Sequence, residues 1–189
     1  NKANLIATLG SGPGGLVLAG HTDTVPCDEQ LWDSDPFILT ERDNAWFGLG
    51  CCDMKSFFAL SVEALKQHHG KNLRHPLIII ATADEESSMR GARALVAAGS
   101  PVARRAIIGE PTGMRPISMH KGIMMQGVTL RGQSGHSSDP ELGNNVIEAL
   151  PILLSVLSRY RDELAQQFRC ELMAVPVPTI NFGCVHGGD

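Results

Sequence analysis

The stretch LVLAGHTDTVP, residues 16–26, decides how the rest of the chain is read. Its first four residues form an unbroken apolar run, as expected of a strand buried on both faces of a parallel sheet. Gly20 ends the run, and His21 and Asp23 follow one residue apart. An imidazole and a carboxylate directly after a buried strand have two readings. One is a turn whose polar side chains satisfy the local backbone. The other is a metal ligand beside the carboxylate that orients it.

The same arrangement recurs downstream. PLIIIATA (76–83) is a β-branched run followed by Asp84, Glu85 and Glu86, and RAIIGE (105–110) is a short apolar run ending in Glu110. The chain opens with a further strand pattern over 4–8. The spacing predicts a helix over 53–70, with Asp53 as N-cap and Gly70 just past its end, and an Ala-rich helix over 88–98 closed by Gly99. Strands alternating with helices indicate an α/β fold with a mainly parallel sheet. In such sheets ligands bind outside the carboxyl ends of the strands. Three strand ends and one helix start would thus bring one histidine and several carboxylates into a single cleft. Crowded carboxylates repel unless they take up protons or a cation neutralises them. A histidine with three or more Asp/Glu residues suits Zn²⁺, Co²⁺ or Mn²⁺. A carboxylate can bridge two such ions, and a neighbouring one can move protons during hydrolysis. Taken singly, each residue has a plainer role: Asp53 as a helix cap, Asp23 as a turn residue, Asp84-Glu85-Glu86 as a solvated turn.

The texture changes at EPTGMRP (110–116), which places a domain boundary after residue 112, with a first domain over 1–112 and a second over 113–189. In the second, residues 123–131 carry a partial period-two alternation through Met125, Val128 and Leu130. The loop GQSGHSSDPELG (132–143) follows. Ile147, Leu150, Leu154 and Leu157 then recur at helical spacing within a helix predicted from about 144 to 168. Pro151 either kinks that helix or marks its true start. A strand over 174–182 closes the pattern.

Composition narrows the function. The formal net charge is −4, there is no basic run, and the aromatics are few and scattered, which argues against a nucleic-acid partner. No apolar run approaches the roughly 18 residues that span a membrane, so no membrane partner is expected. Five cysteines, an odd number without a Cys-x-x-Cys pair, argue against a disulfide framework and a thiolate zinc knuckle. They point to reduced thiols and a cytoplasmic location. The chain opens at Asn1 rather than Met and stops at HGGD with no closing element, so a fragment with both domains incomplete is expected.

Five motifs, in order, carry a resemblance: GHTDTVP, GLGCCDMKS, ATADEESSMRGAR, IIGEPT and GQSGHSSDP. Together they resemble the co-catalytic metallopeptidase family of acetylornithine deacetylase, succinyl-diaminopimelate desuccinylase and glutamate carboxypeptidase. The deacetylase members look most similar, HKG (120–122) included. The resemblance implies a metallohydrolase domain with an inserted ferredoxin-like dimerisation (lid) domain, a homodimer formed through that lid, and two divalent ions, Zn²⁺ or Co²⁺. It implies a small N-acyl amino acid as substrate, with loss of acetate from N2-acetyl-L-ornithine as the reaction. By the same resemblance His21 and Glu110 would hold one metal, Asp53 would bridge to the second, and Glu86 would hold the second. Asp23 would orient His21, and Glu85 would be the general base and acid. His136 would reach over a site, usually the partner subunit's, and stabilise an oxyanion. The family pattern also implies a cis peptide after Asp53, unusual for a non-proline bond.

Departures are equally specific. The family's second metal has a further histidine ligand near the C-terminus of the full protein, and His186 is not assigned that role. Ser56 stands where Gly is usual, and Cys51 and Cys52 stand where small residues are usual; carboxylates already fill the site, so neither cysteine is assigned as a ligand. Two alternatives remain. One is another N-acyl amino acid hydrolase or carboxypeptidase of the family. The other is a non-catalytic metal-binding dimerisation module, which would have no need of a base at Glu85.

Overall fold

A computed structural model describes residues 2–188 and divides into two units, the first ending at Pro116 and the second beginning at Ile117. The division falls four residues beyond the boundary read from the change in texture.

The first unit is built on a four-stranded sheet. In chain order its elements are β1 (Leu5–Leu9), β2 (Leu16–His21), a small hairpin of β3 (Thr40–Arg42) and β4 (Ala45–Phe47), α1 (Ser56–His68), β5 (Leu77–Thr82), α2 (Arg90–Ala98) and β6 (Arg105–Ile108). The sheet order is β1-β5-β2-β6. β2 pairs in parallel with both β5 and β6, whereas β1 pairs antiparallel with β5 from Leu5 opposite Ala81 to Leu9 opposite Leu77. The fold is therefore mixed α/β with a mostly parallel sheet, and the first strand is its antiparallel exception. The buried core lies where sequence pattern puts it, on Val17, Ile78, Ile79 and Ala81 of the two central strands.

The register sets the site. His21 ends β2 opposite Thr82 at the end of β5, and Ala19 pairs with Ile108 at the end of β6. Three parallel strands thus finish at one edge, and their following loops emerge together. Gly109 continues the ladder by one bond, its N–H donating to the Ala19 carbonyl at 3.0 Å, before Glu110 leaves the sheet.

The start of the first helix departs from expectation. Asp53 is not its N-cap: α1 begins at Ser56, and the irregular turn Cys51–Lys55 before it holds Asp53 in an extended conformation (φ −120°, ψ 95°). The Asp53 carboxylate turns to His21 instead of the helix N–H groups. The Asp53–Met54 peptide is cis. Met54 is fully buried beneath Gly20, where any Cβ would lie 2.7 Å from Met54 Cε and 3.0 Å from the Phe58 ring. Gly20 does not end the strand, which runs on through it to His21; its missing side chain is the space into which the Asp53 turn is anchored. The helix ends as read, with Gly70 in the left-handed region just beyond it.

The sequence pattern did not reveal the β3–β4 hairpin. Asp43 and Asn44 both have positive φ (53° and 59°), the backbone that a two-residue hairpin turn requires. α2 begins at Arg90 rather than 88, because Ser88 belongs to the turn that carries the acids.

In the second unit the dominant element is α3 (Val146–Gln167), capped by Asn145, whose Oδ1 accepts from the Ile147 N–H at 2.9 Å. Pro151 lies inside the helix rather than at its start. Among the described residues no strand forms over 123–131 or 174–182; two isolated bridges, Gln133 with Asn144 and His136 with Asp139, are the β pairing present. The physical reason is visible in the first of these segments. Met125 and Val128 are three apart and fall on opposite faces of an extended chain, so no continuous apolar face exists to bury, and both are more than half exposed.

Candidate metal centre

The ends of β2, β5 and β6 and the turn before α1 bring His21, Asp53, Glu85, Glu86 and Glu110 together. His21 is 2% exposed. Its Nδ1–H donates to the Asp23 backbone carbonyl at 2.9 Å, which directs Nε2 at the carboxylates. Asp53 Oδ1 lies 3.0 Å from that Nε2, Glu85 Oε2 3.9 Å and Glu110 Oε1 4.0 Å. One ligand atom each from His21, Asp53 and Glu86 lies within 4.8 Å of the others.

Asp23 sits behind this cluster in an unforeseen way. It orients His21 through its backbone carbonyl, while its carboxylate is 3.8 Å from Nδ1. The carboxylate instead accepts two backbone N–H groups, Glu85 at Oδ1 and Glu86 at Oδ2, each at 3.1 Å. One residue thereby aligns the imidazole and the two glutamates. Asp84, the first acid of the triplet, turns away: it is buried against Ser87, Ser88 and Lys2.

The electrostatics follow from crowding. Burial opposes a charge on His21, but the Asp23 carbonyl, the Asp53 carboxylate and the fields of Glu85 and Glu110 together hold its pKa above the ordinary histidine value. Burial, then the charges of Asp53 and Glu85, push Glu86 up against the counter-pull of His21. Burial, then Asp53, Glu85 and Glu86, push Glu110 up in the same way. Asp23 goes down: burial opposes ionisation, and the N–H groups of Glu85 and Glu86 more than offset it. The upward shifts of His21, Glu86 and Glu110 mark a crowding of negative charge that a divalent cation would relieve. The donor set fits such an ion, since an imidazole held through Nδ1 with Nε2 aimed at several carboxylate oxygens offers ligand atoms at one point.

His136 lies in the second unit, where it forms the isolated bridge with Asp139 inside the loop that Gln133 and Asn144 close. Its Nδ1 accepts from the Ser138 N–H at 3.2 Å and meets Ser138 Oγ at 2.7 Å. An Nδ1 that accepts from a backbone N–H leaves the proton on Nε2, so the imidazole presents a donor.

Comparison with known proteins gives the family. The pattern of peptidase family M20/M25/M40 matches residues 17–180. The chain belongs to that family. The M20/M25/M40 match takes in all the residues gathered at the strand ends and His136. Among curated relatives, acetylornithine deacetylase of Proteus mirabilis is 52% identical over 188 residues, covering 100% of this chain and 49% of the relative. Acetylornithine deacetylase of Klebsiella pneumoniae is 50% identical over 189 residues, with the same coverage. The chain thus spans about half the length of the curated relatives it matches. Among solved structures, human carnosine dipeptidase 1 superposes with a TM-score of 0.51 at 26% identity, over 57% of this chain and 25% of that one.

Proposed function

We propose that the protein is a metal-dependent amidohydrolase that converts N2-acetyl-L-ornithine to L-ornithine and acetate. The observation that carries the proposal is the convergence of His21, Asp53 and Glu86 ligand atoms within 4.8 Å, with the Glu85 carboxylate 3.9 Å from the same imidazole nitrogen. The names of the relatives supply the substrate. His21 and Glu110 would hold one divalent ion, Asp53 would bridge, and Glu86 would hold a second; Zn²⁺ or Co²⁺ suits these donors. Such ions, when bound, polarise an amide carbonyl and lower the pKa of water.

The chain's own residues do the rest. Asp23 fixes the imidazole through its carbonyl and the Glu85–Glu86 backbone through its carboxylate. Glu85 takes a proton from the attacking water as the oxygen adds to the acetamide carbon. It returns that proton to the amine nitrogen as the C–N bond breaks, leaving acetate and ornithine. As the family resemblance implies, the Nε2–H of His136 would donate to the oxyanion of the tetrahedral intermediate in the partner subunit's site. In this proposal the second unit is the ferredoxin-like lid, the active form is a homodimer and the enzyme works in the cytoplasm.

The test is release of ornithine by the full-length protein after metal stripping and reloading with Zn²⁺ or Co²⁺, with N-succinyl-diaminopimelate assayed alongside. Restored activity on the acetyl substrate alone supports the proposal. Activity only on the succinyl compound keeps the chemistry and moves the substrate. Metal binding with hydrolysis of no N-acyl amino acid would favour the non-catalytic module.

A further inference from the structure

The turn that carries Glu85 and Glu86 has an unusual backbone. Asp84 at its start and Met89 at its end are both left-handed non-glycine residues, with φ of 65° and 53°. Such conformations persist only where the surroundings over-determine them. Part of that determination is internal: the Asp84 carbonyl accepts the Met89 N–H at 2.7 Å and the Ser88 N–H at 3.3 Å, and the Asp84 carboxylate accepts the hydroxyls of Ser87 and Ser88. Part comes from Asp23, on the side facing the metal centre.

The remainder comes from a residue nearly eighty positions away. Asn4, immediately before β1, places its side-chain amide across both ends of the turn. Its Oδ1 accepts the Ala83 N–H at 3.1 Å and its Nδ2 donates to the Gly91 carbonyl at 2.8 Å. The Gly91 N–H in turn donates to the Ala83 carbonyl at 3.1 Å, so three bonds close the neck of the turn. The fit is tight: any side chain at Gly91 would collide with the Ala83 carbonyl and with Asn4 Oδ1. Lys2 adds an ion pair to Asp84 on the outer side.

We infer that Asn4 is a positioning residue, a brace from the antiparallel edge strand that sets where Glu85 and Glu86 stand relative to His21. The role follows from, and rests on, the assignment of Glu85 and Glu86 made above. A planar amide with one acceptor and one donor matches the neck in a way that few other side chains can. Loss of the brace would let the two left-handed residues relax and carry the glutamates off their positions, while β1 stays paired with β5.

The test uses full-length protein and the variants Asn4→Ala, Asn4→Asp and Ile79→Val, the last trimming the buried core of β5 without touching the turn. Zinc affinity is read by competition with a chelator, alongside kcat, KM and Tm. Asn4→Ala should weaken zinc binding about tenfold, the lower end of what loss of a supporting contact around a metal site costs. It should lower kcat by about the same factor and leave KM within about twofold. Asn4→Asp keeps the acceptor for Ala83 but sets a carboxylate oxygen against the Gly91 carbonyl, and should weaken zinc binding at least as much as Asn4→Ala. Ile79→Val should lower Tm and leave zinc affinity unchanged. Wild-type zinc affinity and kcat in Asn4→Ala, with a Tm loss like that of Ile79→Val, would overturn the inference. If Asn4→Ala does not fold, Asn4→Asp decides: weakened zinc binding supports the brace and wild-type binding overturns it. If the wild type hydrolyses no N-acyl amino acid, the functional proposal fails, and the zinc affinities still decide the brace.

Discussion

Asp23→Asn tests the central joint of the site, because one carboxylate holds the backbone of both glutamates. The wild-type residue accepts N–H groups from Glu85 and Glu86 at 3.1 Å, one on each oxygen. Hydrogen bonds to a charged group contribute about 1.5–3 kcal/mol each. The asparagine amide has one oxygen, so it keeps one of the two bonds in weakened, uncharged form and turns an NH₂ toward the other N–H. Solvent reaches the site, so the loss is set at the lower end for the pair together, about 2–3 kcal/mol, or roughly 30- to 150-fold in a local equilibrium. The assay is amide hydrogen exchange at Glu85 and Glu86 in the metal-free protein, with zinc affinity measured in parallel. At least one of the two amides should lose protection by that factor, while amides in the centre of β5 keep theirs. The pH dependence has a defined sign. The Asp23 pKa is depressed in the fold, so its contribution is complete above the ordinary carboxylate value and is lost as pH falls through the lower folded value. The difference between wild type and variant should be flat from about pH 5 to 8 and close below about pH 4. Unchanged protection at both amides in the variant would refute the reasoning.

Three further outcomes are expected. Glu85→Gln should cut turnover by at least about a hundredfold, the scale for a general base, with metal content unchanged; surviving turnover would remove Glu85 from that role. His136→Ala should lower kcat with metal still bound, and loss of metal would make His136 a ligand instead. The folded pKa of His21 is raised, so its proton stabilises the metal-free fold fully below about pH 6.5 and that contribution is lost as pH rises through the higher folded value; Glu86 and Glu110 act with the same sign. Metal-free protein should therefore lose thermal stability between about pH 5 and 8, while zinc stabilisation grows over the same range and zinc binding releases protons. Calorimetry in buffers of different ionisation enthalpy reads that release, and its absence near pH 6.5 would contradict the electrostatic account.

The parallel sheet was legible because its strands are short apolar runs whose boundaries coincide with changes in residue type. Once β2, β5 and β6 are parallel, chain direction alone places His21, Glu85, Glu86 and Glu110 at one edge. Asp53 was legible as a residue of interest but not in its conformation: a helix cap and a ligand call for the same side chain at the same place, and only the backbone separates them. The Asp23 carboxylate and the Asn4 brace were not legible, since a side chain that holds another segment's backbone leaves no periodic mark. The β3–β4 hairpin escaped because three-residue strands are too short to show alternation, although Asp43-Asn44 is a turn signal in its own right. Over 123–131 the sequence promised a strand on an alternation that breaks between Met125 and Val128. A strand also needs a partner, and local pattern does not supply one.

The most direct measurement is a crystal structure of the zinc-loaded full-length protein, with the metal located by anomalous scattering at the zinc edge. The account predicts zinc at the strand ends, about 2.0–2.2 Å from His21 Nε2 and from carboxylate oxygens of the Asp53, Glu86 and Glu110 set. Zinc bound at Cys51 and Cys52, or elsewhere away from His21, would contradict it.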